Sequence, residues 1–317
     1  MQRGVLFMEK LDRVYLCECW ARDGLQNMEQ IISTEDKVAL INDIARAGYA
    51  RVEATSFSNP KKLPQFADAE KVMQQIIRPP GVAYKTTCIN GRAVTRAIEA
   101  KNNGYGPDEV SFMISVSEAH DKFNTGMTHK EHWQQFDEMV GTALENELRV
   151  IGTLGTVYGC PIDGDVPQKK VIQFARHYYD LGARFISLGD TTGVANPRQV
   201  KEMFGELTAL FPDATMIAHF HDTRGTGIAN CLAAYEVGVR YFDVSLGGVG
   251  GQPAGTEKYH LGFSGNTVSE DLVCMFEEMG IYTGVAQDEV IKLGLKSEQI
   301  LGGMQKSNVL RCGKVKH

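Results

Sequence analysis

The run Ala218-His219-Phe220-His221-Asp222 places two histidines one residue apart in an apolar stretch. Alternate positions of a strand share a face, so a strand here aims both imidazoles at one point. Two distant segments carry suitable companions: Arg22-Asp23-Gly24-Leu25-Gln26 near the N-terminus and Ser264-Gly265-Asn266 near the other end. Oxygen donors from Asp23 and Asn266 with the imidazoles of His219 and His221 make an open set for a six-coordinate Mg²⁺ or Mn²⁺, whereas a structural zinc site wants thiolates and closure. The bland alternative for either histidine alone is a hydrogen-bonded core residue.

Other polar residues fall just after apolar, β-rich runs. Arg22 beside Asp23 is either a fork for an anionic or enolate oxygen or an ion pair that orients Asp23 or Glu53. Asp190, in Asp190-Thr191-Thr192-Gly193, is either an acid or base near the metal or a turn and cap residue. A glycine-rich stretch, Gly247-Gly248-Val249-Gly250-Gly251-Gln252-Pro253, leads toward Asn266. Gln26, Ser56, Thr192 and Gln252 are expected to contact substrate.

Positioning these residues requires a scaffold that gathers distant strand ends. Short β-rich runs over 13–19, 51–57, 81–88, 109–115, 149–156, 185–188, 215–220 and 241–246 alternate with segments of helical period. Eight such units predict an α/β fold, a (β/α)8 TIM barrel, whose strand C-termini open on one face. Helix signals agree: Thr34-Glu35-Asp36 opens an amphipathic run that Gly48 closes, and Pro197 sits where a helix begins. A doubly wound sheet competes, but no Gly-x-Gly-x-x-Gly follows the first strand. The expected division is a catalytic barrel over 1–283 and a short C-terminal helical extension over 284–317 packed on it.

At 317 residues with 43% apolar and 23% charged, the chain can bury a full core. A net charge of −6 supplies no global basic field for nucleic acid. Seven cysteines without metal-type pair spacing suit reduced thiols in a cytoplasm. No apolar span or signal-like segment points to a membrane. The expected partner is a small molecule, with assembly as a homo-oligomer, a dimer.

Across almost its whole length the chain resembles the hydroxymethylglutaryl-CoA lyase group of metal-dependent TIM-barrel lyases and condensing enzymes. The resemblance is carried by Arg22-Asp23-Gly24-Leu25-Gln26-Asn27, Glu53-Ala54-Thr55-Ser56-Phe57, Gly159-Cys160-Pro161, Ser187-Leu188-Gly189-Asp190-Thr191-Thr192-Gly193, His219-Phe220-His221-Asp222-Thr223 and Ser264-Gly265-Asn266. It implies that Asp23, His219, His221 and Asn266 bind the metal, that Arg22 steadies an enolate oxygen, and that Glu53 and Asp190 act around the metal and the substrate hydroxyl. The implied reaction is retro-Claisen-type cleavage of a 3-hydroxy-acyl thioester to a shorter acyl-CoA and a carbonyl fragment.

One departure stands out. Lyases of this group carry a catalytic cysteine in a Gly-[Leu/Ile/Val]-Gly-Gly-Cys-Pro loop, and this chain has Gln252 in that frame. A carboxamide cannot exchange a proton near neutral pH as a thiol can. His260 is the expected substitute proton carrier, with Glu257 and Tyr259 competing for the role. Ile162-Asp163-Gly164 also stands where the group has Tyr-Glu-Gly, which predicts a different substrate pocket. Two other readings are a Claisen-type condensing enzyme or aldolase acting on a 2-oxo acid, and a barrel that keeps the metal but serves as a binding partner.

Overall fold

The computed structural model describes residues 12–251 and 265–316. Eight strands close into a parallel barrel in sequence order. They are β1 (Tyr15–Glu18), β2 (Arg51–Ser56), β3 (Ala83–Thr87), β4 (Glu109–Ser115), β5 (Arg149–Gly155), β6 (Phe185–Asp190), β7 (Thr215–Phe220) and β8 (Tyr241–Val244). β1 closes the ring against β8, with Leu16 opposite Phe242. The (β/α)8 expectation therefore holds, and the doubly wound sheet is excluded. β1 is shorter than 13–19 because the chain after Glu18 turns into a π-helical segment, Trp20–Gly24. β6 runs past 188 because Gly189 and Asp190 still pair with His219 and Phe220.

The helices start and stop for local reasons. Ser33 accepts the Asp36 N–H at 3.0 Å and opens the helix Thr34–Ala47, which ends at the left-handed Gly48. Asn196 and Gln199 form a capping box around Pro197 at the first helical position. Apolar helix faces pack on the outside of the barrel through residues such as Leu40, Ile44, Phe136, Val140, Phe204 and Leu207, all buried. After β8 come the helices Ser269–Glu278, Gln287–Leu301 and Val309–Cys312. Trp20 Nε1 donates to Ser297 at 2.7 Å, and the Lys306 N–H donates to the Gly247 carbonyl at 3.1 Å, so these last segments back the loops that carry the polar strand-end residues. A side chain at Gly247, held at φ 61°, would collide with Gln305. No described helix is long and apolar enough to cross a membrane.

The barrel interior is a column of alternating charge. Arg149, half-exposed at the N-terminal end, donates to Glu109 at 2.6 Å, and Glu109 accepts Arg51 Nε at 2.8 Å. Arg51 faces Asp243 at 3.6 Å, and Lys85 lies 3.2 Å from Asp243 and 3.4 Å from Glu53. Arg22 Nε then donates to Glu53 at 2.6 Å. Each buried charge meets an opposite one, which offsets the high cost of taking it out of water.

Glu18 at the end of β1 joins three segments: its carboxylate accepts the N–H groups of Trp20 and Leu246 and the hydroxyl of Ser269. Burial outweighs these bonds and pushes its pKa up from 4.5 to about 7. The folded state therefore holds this proton more tightly than the unfolded chain. Its contribution to stability is complete below about pH 4.5 and is lost as pH rises through about 7. Relative to Glu18→Gln, the wild type should lose on the order of 3 kcal/mol of unfolding free energy between about pH 4.5 and pH 8. Chemical denaturation across that range checks this, and a pH-independent difference contradicts it.

Candidate active site

The π-helical turn after β1 presents Arg22 and Asp23 at the C-terminal face of the barrel. π-turns interrupt the regular ladder and concentrate at functional positions. β7 delivers His219 and, one step past its end, His221, which forms an isolated bridge with Asn266. Asp23, His219 and His221 offer ligand atoms that all lie within 4.8 Å of one another. Asn266 joins them: its Nδ2 donates to Asp23 Oδ2 and to the Val249 carbonyl, while its buried Oδ1 lacks a hydrogen-bond partner. Gly250, at φ 128°, permits this approach, since a Cβ there would lie 2.2 Å from Asn266 Nδ2.

The two imidazoles impose a stringent condition. His221 Nδ1 lies 2.8 Å from the Thr191 carbonyl, which can only accept, so its proton sits on Nδ1. His219 Nδ1 lies 3.2 Å from Asp243 Oδ2, a carboxylate that likewise calls for a donor. Both Nε2 atoms are then left with lone pairs, and they face each other at 3.3 Å. Such a pair repels unless a cation or shared proton stands between or beside it. A hard divalent cation fits this donor set: two Nε2 lone pairs, the Asp23 carboxylate and the orphaned Asn266 oxygen. The Asp243 and Thr191 contacts are the outer partners that fix tautomer and ring orientation in metal sites.

The charges agree. Burial works against an ionised Asp23, but Arg22 and the two histidines hold its carboxyl well below the usual carboxylate range. Burial likewise opposes charge on Glu53, and Arg22 and Lys85 still bring its pKa below the ordinary value. Burial opposes protonation of His221, yet the Asp23 carboxylate raises its pKa above the ordinary value. Asp23 and Glu53 thus stay ionised beside Arg22 inside the barrel mouth, and the Asp23 carboxylate favours positive charge, a proton or a cation, at His221.

The expected substrate and proton-transfer residues separate into groups. Arg22 bonds Asp23 and Gln26, each at 3.2 Å, which is the ion-pair arrangement, and it also lines the cleft. Glu53 lies below, receiving Arg22 and the Thr87 hydroxyl at 2.7 Å. Asp190 accepts the Val194 and Ala195 N–H groups at 2.9 and 3.0 Å, which is the turn-capping arrangement. Burial raises its pKa despite those two bonds. Ser56 bonds Ser58 and the Thr87 carbonyl, and neither it nor Thr192 lies among the described residues lining the cleft. Gln252, Glu257, Tyr259 and His260 lie outside the described residues.

The cleft also contains residues that sequence reasoning missed: Lys85, Asp243, Ser115, His120 and Asn124. Lys85 and Asp243 carried one usable signal, a charge in the middle of an apolar strand.

The HMGL-like family pattern matches residues 13–295. This chain belongs to the HMGL-like family. Among its relatives, the hydroxymethylglutaryl-CoA lyase YngG of Bacillus subtilis is 38% identical, the match covering 92% of this chain and 94% of that protein. The mitochondrial hydroxymethylglutaryl-CoA lyase of Macaca fascicularis is 38% identical over 89% of this chain and 84% of the relative. Among solved structures, an HMG-CoA lyase from Acinetobacter baumannii, in complex with coenzyme A and 3-methylmalate, superposes with a TM-score of 0.89 at 37% identity over 96% of both chains.

Titration calorimetry with Mn²⁺ should show at least a hundredfold weaker binding in Asp23→Ala and His221→Ala than in the wild type, since each removes a direct ligand. Asp243→Asn, which alters the outer partner of His219 together with the ion pairs to Lys85 and Arg51, should cost about 10–100-fold. Unchanged affinity in all three variants would place any bound cation elsewhere.

Proposed function

We propose that this protein is a divalent-metal-dependent carbon–carbon lyase that cleaves a 3-hydroxy-acyl-CoA of the hydroxymethylglutaryl-CoA kind to acetyl-CoA or a short acyl-CoA and a carbonyl product. The observation that carries the reading is the convergence of Asp23, His219, His221 and Arg22 at the mouth of a barrel shared with HMG-CoA lyases. Seven unpaired thiols suit a reducing cytoplasm.

In this reading Asp23, His219, His221 and Asn266 hold Mg²⁺ or Mn²⁺. When bound, such an ion polarises the hydroxyl and carbonyl oxygens of the substrate. Cleavage requires that the 3-hydroxyl lose its proton, that the carbon–carbon bond break toward the thioester, and that the resulting enolate take up a proton on carbon. Arg22, kept charged and aimed by Glu53, faces the cleft where it can hold the oxygen that gains negative charge. Asp190 or Glu53 would assist at the hydroxyl, and Gln26, Ser56 and Thr192 would shape and support the pocket. His260 would return the proton in place of the cysteine that Gln252 replaces. The segment 284–317 would act as an extension of the 1–283 barrel, buttressing the glycine-rich loop.

Acetyl-CoA release from hydroxymethylglutaryl-CoA, followed by a coupled assay with Mg²⁺ or Mn²⁺, tests the reading. Activity should depend on the metal, and Arg22→Gln should lower kcat by about 10²–10³-fold, as for loss of an oxyanion donor. Gln252→Cys should raise kcat near neutral pH. A panel of hydroxyacyl-CoA esters that yields no cleavage with either metal would sink it.

A further inference from the structure

Beneath the histidine pair lies a second group of metal-type donors that the lyase reading does not use. Cys17 on β1 is the register partner of Asp243 on β8, so the two side chains point to the same side at the same height of the barrel. Cys19, two residues on, shares the face of Cys17, and the two Sγ atoms lie 4.0 Å apart. One intervening residue is not the spacing of the common zinc motifs, but alternation along a strand achieves the same convergence. Cys17 Sγ, Cys19 Sγ and a carboxylate oxygen of Asp243 all lie within 4.8 Å of one another, and all three residues are buried.

The spacing suits a single ion. Two Zn–S bonds of about 2.3 Å at a tetrahedral angle span roughly 3.8 Å, so the thiols already stand at the separation that one cation bridges. Asp243 has capacity left over: Oδ2 serves His219 and Lys85, each at 3.2 Å, while Oδ1 accepts no hydrogen bond and lies 3.6 Å from Arg51. The cluster borders the cleft, which Lys85 and Asp243 both line.

The surroundings select the kind of ion. Thiolates favour soft cations, whereas Mg²⁺ and Mn²⁺ prefer the oxygen and imidazole donors above. Burial, reinforced by Cys17, pushes the Cys19 thiol well above the usual range, so its proton yields only to an ion with a strong preference for sulfur. Lys85 Nζ, 3.9 Å from Cys19 Sγ, and Arg51 bring positive charge close. Loss of two thiol protons offsets the charge of a divalent ion, so the alternating column keeps its balance.

We propose that Cys17, Cys19 and Asp243 form a second metal site, for a thiophilic divalent cation of the Zn²⁺ or Cd²⁺ kind, directly below the cradle of Asp23, His219, His221 and Asn266. On binding, two S–H bonds break, two metal–sulfur bonds form, and both protons pass to solvent. Asp243 is then common to the two sites, bound to the lower ion and orienting His219 for the upper one.

Cd²⁺ added to the Mn²⁺-saturated protein tests this through the ultraviolet charge-transfer band of cadmium thiolates, a band that Cd²⁺ held by imidazole and carboxylate alone does not give. In a Cys312→Ser background, which removes the exposed thiol, the band should saturate at one Cd²⁺ per chain. Cys17→Val and Cys19→Val should each lower Cd²⁺ affinity by at least about a hundredfold, more than the loss of an outer partner costs, and should leave Mn²⁺ affinity unchanged. Where a valine variant fails to fold, the alanine variant at the same position takes its place. Absence of the band in the Cys312→Ser protein, or a band that survives substitution of either Cys17 or Cys19 at full affinity, overturns the proposal.

Discussion

Two imidazole Nε2 atoms that face each other at 3.3 Å, a spacing that calls for a cation or a shared proton between or beside them, set the terms for the rest of this structure. The strand geometry of β7 creates the pair, and it is the Asp243 and Thr191 contacts on the far nitrogens that keep the rings from turning away. A positive charge between them resolves the repulsion, and the Asp23 carboxylate and the unpartnered Asn266 oxygen complete a cradle for it.

The cradle depends on the charged column beneath it. Asp243 belongs to both: it accepts from His219 and is ion-paired with Lys85 and Arg51. Glu53 has a similar dual role closer to the mouth, between Lys85 and Arg22. The column from Arg149 to Asp23 alternates sign throughout, so its charges balance before any ion enters. A divalent ion held there would add positive charge to the barrel mouth beside Arg22, where developing negative charge on a substrate oxygen would be favoured.

Much of this was legible in the sequence. His219 and His221 at alternate positions of an apolar run specify a shared direction without knowledge of the fold, and the eightfold strand rhythm specifies which strand ends meet. Arg22 and Asp23 follow because they are the first charged pair past the β-rich run 13–19, on the side where a parallel barrel opens. Lys85, Asp243 and His120 did not emerge, since their roles arise from which strands adjoin across the barrel, and no local period encodes that. Asp190 shows the reverse: Asp before Thr-Thr-Gly fits both an acid–base residue and a turn cap, and only the Val194 and Ala195 N–H contacts reveal the capping. The pairing of His120 with Ser115 was invisible for a further reason. Ser115 and His120 are five residues apart across a strand-to-helix turn, and it is the Ser117 cap that brings them together.

The central claim is that His219 and His221 jointly coordinate one cation through Nε2. Pulsed electron paramagnetic resonance of the Mn²⁺-loaded protein measures this directly, through magnetic coupling between the ion and histidine nitrogen. Joint coordination predicts nitrogen modulation from two imidazoles, reduced to one in either His219→Ala or His221→Ala. Bound Mn²⁺ that shows no histidine nitrogen coupling would contradict it.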